Sequence, residues 1–192
     1  SDLTLTILLN DGGNEVTKTI NSSGTFSGIV AADFNHDGHL DLAVSDSANN
    51  TVHVFRGDGT GNFTQLGTYS TGTGTKPSGI VTADFNHDGN PDVATSNAGK
   101  NNVTILLGST TGALTAQTAV AAGTDPIAIA TTDVNSDGNP DVIAFDSVTS
   151  STGAIAVLLG NGTGALQAAQ ISSLSDTPGL VANVADFNRD GK

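Results

Sequence analysis

Asp33-Phe34-Asn35-His36-Asp37-Gly38-His39-Leu40-Asp41 is the stretch on which the reading of this chain turns. Oxygen-bearing side chains stand at its positions 1, 3, 5 and 9, and a glycine at position 6 allows a sharp turn. The pattern returns as Asp84-Phe85-Asn86-His87-Asp88-Gly89-Asn90-Pro91-Asp92 and as Asp133-Val134-Asn135-Ser136-Asp137-Gly138-Asn139-Pro140-Asp141. A fourth copy, Asp186-Phe187-Asn188-Arg189-Asp190-Gly191, is followed only by Lys192 and has no position 9. The first aspartates, at 33, 84, 133 and 186, lie 51, 49 and 53 residues apart. One copy would read as an Asp-Gly turn, but three complete copies at near-constant spacing are a repeat.

Other features keep the same period. Gly57-Asp58-Gly59-Thr60-Gly61, Gly108-Ser109-Thr110-Thr111-Gly112 and Gly160-Asn161-Gly162-Thr163-Gly164 are equivalent turns between strands. The five prolines occupy two repeating slots: Pro77, Pro126 and Pro178 ahead of an apolar run, Pro91 and Pro140 inside the Asp motif. Within one period the pattern predicts four strands, near 28–34, 40–45, 51–55 and 63–69. The first of these is small and apolar throughout, as a strand buried on both faces would be.

Four short strands per repeat predict an all-β fold of β-propeller blades, each of four antiparallel strands. The expected units are a partial blade over 1–26, whole blades over 27–71, 78–122 and 127–170, and a partial blade over 178–192. Leu3 to Leu9 aligns with Val103 to Leu107, so the chain is expected to be a segment of a larger propeller, completed by further blades or by edge-to-edge contact with another chain.

Composition narrows the function classes. A net charge of −13 on 192 residues opposes binding to a nucleic-acid backbone. The longest apolar run, Ala154 to Leu159, is far too short for a membrane span. With no cysteine there is neither a disulfide nor a thiolate metal site. No nucleophile, base and acid pattern is present, and the single glutamate, Glu15, leaves no spare carboxylate pair, so the chain is expected not to be an enzyme. Eleven of the eighteen aspartates lie in the four loops, and Asp2, Asp11, Asp46, Asp58, Asp125, Asp146 and Asp176 read as solvated turn formers.

The loop's chemistry points to a hard cation. Side-chain oxygens at positions 1, 3, 5 and 9, with the carbonyl of His39, Asn90 or Asn139 at position 7, match the ~6 to 8 oxygen ligands of Ca²⁺ better than Mg²⁺, which keeps its waters. An EF-hand would need an acid at position 12, where Val44, Thr95 and Ala144 stand. His36 and His87 occupy position 4, where Ser136 and Arg189 substitute. With His39 and His53 they read as surface side chains.

The motif D-x-N-x-D-G-x-x-D in a repeat of about fifty residues resembles the FG-GAP or VCBS family, which includes the calcium-binding blades of integrin α-subunits and many bacterial surface proteins. The resemblance implies Ca²⁺ on Asp33, Asn35, Asp37 and Asp41, on Asp84, Asn86, Asp88 and Asp92, and on Asp133, Asn135, Asp137 and Asp141. It also implies a fourth, incomplete site on Asp186, Asn188 and Asp190. The expected function is a secreted or cell-surface, calcium-stabilised module for adhesion, scaffolding or ligand binding, with a protein or glycan partner outside the cell. The alternatives are a carbohydrate-binding lectin, disfavoured by the absence of tryptophan, and the accessory propeller of a secreted polysaccharide-degrading enzyme.

Overall fold

The computed structural model describes residues 3–11, 14–22, 24–147 and 153–174, and every regular element among them is a β-strand. β1 (Leu3–Asp11) and β2 (Asn14–Ser22) pair as an antiparallel hairpin. β3 (Phe26–Ala32), β4 (Asp41–Asp46), β5 (Thr51–Gly57) and β6 (Phe63–Ser70) follow as an antiparallel sheet in chain order. β7 (Pro77–Ala83), β8 (Asp92–Asn97) and β9 (Asn102–Leu107) repeat it, the fourth strand being divided into β10 (Thr115–Ala116) and β11 (Val120–Ala121), both paired to β9. β12 (Pro126–Thr132), β13 (Asp141–Asp146), β14 (Ala154–Leu158) and β15 (Gln170–Ser173) form the third sheet. The fold is therefore all-β and built of propeller-like blades, with no closed sheet among the described residues. The expected partial blade over 178–192 lies outside those residues.

Each of the three complete Asp loops is the hairpin between the first and second strands of its sheet, and position 9 is the residue that opens the second strand. Proline opens β7 and β12, where it leaves no ladder bond unmade. One residue further on, every first strand carries a register shift, between Phe26 and Gly28, Pro77 and Gly79, and Pro126 and Ala128. The shift releases Ser27 and Ser78 from the ladder to join neighbouring sheets. Ser27 Oγ donates to the Pro77 carbonyl at 2.5 Å, and Ser78 Oγ to the Pro126 carbonyl at 2.6 Å. First strands thus pack side by side, β3 on β7 and β7 on β12.

The core lies between consecutive sheets. Phe34, Val52, Val54, Val93, Leu106 and Leu114 fill the first interface, and Phe85, Val103, Ile105, Val142 and Leu158 the second. Phe34 and Phe85 are position 2 of the first and second loops, buried plugs that hold those loops against the next sheet and are worth about 2–3 kcal/mol each, whereas Val134 at position 2 of the third loop is 37% exposed.

The doubly buried strand is not the first, as the small apolar run predicts, but the second: β8 is buried at every residue, whereas β3 alternates between half-buried and exposed. The reason is topological. β3, β7 and β12 are edge strands of their sheets, while β4, β8 and β13 lie between two strands. Small residues on the first strands serve sheet-to-sheet contact instead. The Ile80 side chain lies over Gly28, and that of Ile129 over Gly79, so closely that an added Cβ would collide. Ile29, the first of this series, is 46% exposed against 7% and 8% for Ile80 and Ile129.

Candidate metal loops

The three complete loops share one plan. Asp33 Oδ1 and Oδ2 accept the amide hydrogens of Asp37 and Gly38 at 3.1 and 2.9 Å, and Asn35 Oδ1 accepts the Asp37 amide at 3.0 Å. Asp37 Oδ1 in turn accepts the His39 amide at 3.0 Å. Asp84, Asn86 and Asp88 repeat the set, as do Asp133, Asn135 and Asp137. These bonds close only because the chain turns left-handed twice, at position 4 (φ 58°, 58° and 61° for His36, His87 and Ser136) and at position 6 (φ 84°, 84° and 88° for Gly38, Gly89 and Gly138). Position 6 suits glycine, while position 4 puts a non-glycine side chain into this region in every loop.

Position 9 has a distinct role. Asp41, Asp92 and Asp141 are fully buried. In each, one oxygen accepts the position-2 amide, from Phe34, Phe85 or Val134 at 3.0, 2.8 and 2.9 Å. The other accepts the amide of Gly57, Gly108 or Gly160 at 2.8, 2.7 and 2.7 Å. The carboxylate therefore clamps the loop to the end of the third strand. It needs glycine there, since a Cβ on Gly57, Gly108 or Gly160 would run into the backbone carbonyl of Leu40, Pro91 or Pro140.

The charges in a loop pull against one another. Burial, and then the charges of Asp88 and Asp84, push the Asp92 carboxyl up to about 6 against the opposing amides of Gly108 and Phe85. Asp41 is raised by burial and by Asp37. Position 5 goes the other way: amide and side-chain donors from Asn90 and Asn86 hold Asp88 low, and those from Asn139 and Asn135 hold Asp137 low. Asp37 is also lowered, because Arg56, His39 and Asn35 outweigh its burial. Arg56 Nε reaches Asp37 Oδ2 at 2.8 Å. Leu107 and Leu159 precede the equivalent glycines of the other two sheets, so of the three complete loops only the first has this guanidinium.

Among the described residues no three acidic or histidine side chains stand together as a ready-made metal centre. The donor set nonetheless fits the calcium ion that the loop pattern implies. Every acceptor the loop offers is an oxygen, each carboxylate oxygen has lone-pair capacity beyond a single amide bond, and the mutual repulsion at Asp92 is what a divalent cation would offset. Asp186, Asn188 and Asp190 lie outside the described residues.

Sequence reasoning misassigned several polar residues. Asp46 is completely buried rather than solvated, and accepts from the amides of Thr25, Ala48 and Asn49, from Asn49 Nδ2 and from His53. Asp146 is buried in the equivalent place and accepts the Thr124 amide at 2.7 Å. His53 is not a surface side chain. It is buried 3.2 Å from Asp46, flanked by the rings of Phe26 and Phe55. The histidines at position 4 are exposed but engaged: His36 Nε2 lies 2.9 Å from Asn90 Oδ1, and His87 Nε2 lies 3.0 Å from Asn139 Oδ1, each joining two successive loops. An open cleft of about 410 Å³ beside the first loop is lined by Arg56, Gly57, Asp58, Thr64, Gln65 and Leu66.

Fold and loops together define a repeat of four-stranded blades, each carrying an Asp-rich hairpin between its first two strands. The chain belongs to the FG-GAP-like repeat family, whose model matches residues 33–95 and 84–144, more than half of the sequence. Among solved structures it is similar to a functionally unknown protein from Desulfotomaculum acetoxidans DSM 771, at 24% identity and a TM-score of 0.61 over 82% of this chain and 44% of that one. It is also similar to a protein from Bacteroides uniformis ATCC 8492 named as a "putative 6-phosphogluconolactonase", at 13% identity and a TM-score of 0.69 over 95% of this chain and 55% of that one. The chain thus spans about half the length of either relative, and at these identities the likeness is one of fold. No curated protein matches it.

Proposed function

We propose that the chain is a calcium-stabilised, non-catalytic β-propeller module that works outside the cell or at its surface in adhesion, scaffolding or ligand binding. The observation that carries this reading is the threefold recurrence of one loop geometry: the same oxygens at positions 1, 3 and 5, the same two left-handed residues, and the same buried position-9 clamp. Asp33, Asn35 and Asp37, and their counterparts in the second and third loops, would hold the ion together with the position-7 carbonyl and the position-9 carboxylate. Bound there, Ca²⁺ supplies positive charge that offsets carboxylate repulsion and fixes the hairpin between the first two strands.

Placement outside the cell rests on the family and on ion supply. Extracellular calcium modules work at ~10⁻⁴ to 10⁻³ M, far above the resting cytosolic level. The cleft lined by Arg56, Asp58, Thr64, Gln65 and Leu66 offers a partner charged and polar groups beside an apolar one. A metal count after equilibration in millimolar calcium tests the reading. One ion per complete loop is expected, and one fewer in Asp88→Ala; a protein that retains no calcium would overturn it.

A further inference from the structure

The Asp loops are not independent of one another. His36 Nε2 donates to Asn90 Oδ1 at 2.9 Å, and the backbone amide of Asn90 donates to Asp88 Oδ1 at 2.8 Å. The same pair of bonds recurs one blade later, from His87 Nε2 to Asn139 Oδ1 at 3.0 Å and from the Asn139 amide to Asp137 Oδ1 at 2.8 Å. In each case the relay starts at position 4 of one loop, between Asn and Asp at positions 3 and 5. It ends on the side chain of position 7 of the next loop, the residue that offers its carbonyl to the ion and whose amide holds the position-5 carboxylate. The donor end is set by the backbone, because position 4 is left-handed in both loops. The acceptor end of the second relay is supported from below: Gly162 sits directly under Asn139 and beside His87, where any side chain would displace them.

We infer that His36 and His87 are positioning residues that couple neighbouring cation loops, so that ordering one loop around its ion pre-organises the next. The inference rests on the calcium reading above. Its physical basis is that ordering entropy spent in one loop need not be spent again in a loop already held by the first. By linkage the coupling is reciprocal: filling the second loop favours the first by the same factor. Each relay runs across an exposed surface, so its net effect is that of one ordinary hydrogen bond, roughly two- to tenfold in affinity.

Calcium titration calorimetry of the decalcified chain, beside His36→Ser, His87→Ser and the double variant, tests the coupling. Serine is the natural position-4 residue of the third loop, where Ser136 holds the same left-handed backbone at φ 61°, so the substitution keeps the fold. The wild type is expected to bind with a Hill coefficient above 1. In the double variant the same number of ions should bind with a Hill coefficient near 1 and a several-fold weaker overall affinity. A second measurement is independent of curve shape: Asp37→Ala should weaken calcium binding at the second loop in the wild-type background but not in His36→Ser. Equal Hill coefficients with additive variants would overturn the coupling and leave the calcium loops standing. Absence of any calcium binding would overturn the reading beneath it as well.

Discussion

Asp41 accepts the Gly57 amide hydrogen at 2.8 Å and thereby ties the first residue of β4 to the last residue of β5 from inside the sheet. With the Phe34 amide on its other oxygen, this carboxylate closes the base of the loop whether or not an ion sits above it. Asp92 does the same between Phe85 and Gly108. Replacing Asp92 by Asn turns an acceptor into a donor facing buried amides, so Asp92→Asn should cost about 2–4 kcal/mol even in EDTA. Asp88→Ala, on the exposed loop, should cost less than about 1 kcal/mol under the same conditions. Urea unfolding in EDTA separates the two, and equal effects would show that position 9 has no clamp role of its own.

Gly108 meets that clamp from the other side, with the Pro91 carbonyl where a Cβ would stand. Gly108→Ala must push the loop away from the strand end and stretch the 2.7 Å bond to Asp92. A loss of about 2–4 kcal/mol in urea unfolding is expected. A neutral substitution would mean that the loop gives way freely.

Burial pushes the Asp46 carboxyl up, but donors from Asn49, Thr25 and His53 outweigh it and hold it below the ordinary carboxylate range. A depressed folded pKa contributes stability that is present above the unfolded value of 3.8 and is lost as pH falls through the folded value. Wild-type stability should therefore drop below about pH 4, and Asp46→Asn, already weaker by about 2 kcal/mol at pH 7, should show a shallower drop. Parallel pH profiles for the two proteins would contradict this.

Arg56 shares Asp37 with any ion in the first loop, and both groups are partly exposed. Arg56→Leu, which copies the leucines of the other two sheets, should tighten calcium binding at the first loop by about two- to fivefold, the range of an exposed ion pair. Titration calorimetry of Arg56→Leu reads this directly, and weakened binding would assign Arg56 a supporting rather than competing role.

The Asp loops, the turns and the four-strand repeat are legible in the sequence because each is local: Asp33 to Asp41 needs only its own nine residues to declare itself. What escapes is contact between repeats. His36 and Asn90 are 54 residues apart, and their pairing follows only once two sheets stand side by side. Asp46 looks like any turn aspartate. Its burial comes from the end of a central strand and from His53 seven residues on, a relationship that the two identities do not announce. Edge position misled the reading of the first strands, since small apolar residues there mark close sheet-to-sheet approach as readily as burial on both faces.

Thermal melting in EDTA and in calcium at about 100 times Kd tests the central claim most directly, because an ion that holds each hairpin must stabilise the fold by mass action. Each filled loop should add about 2.7 kcal/mol. A chain of this size shifts its midpoint by about 2–4 °C per kcal/mol, so the expected rise is roughly 5–10 °C per loop, with Asp88→Ala losing one such increment. An identical midpoint in EDTA and in calcium would contradict the account.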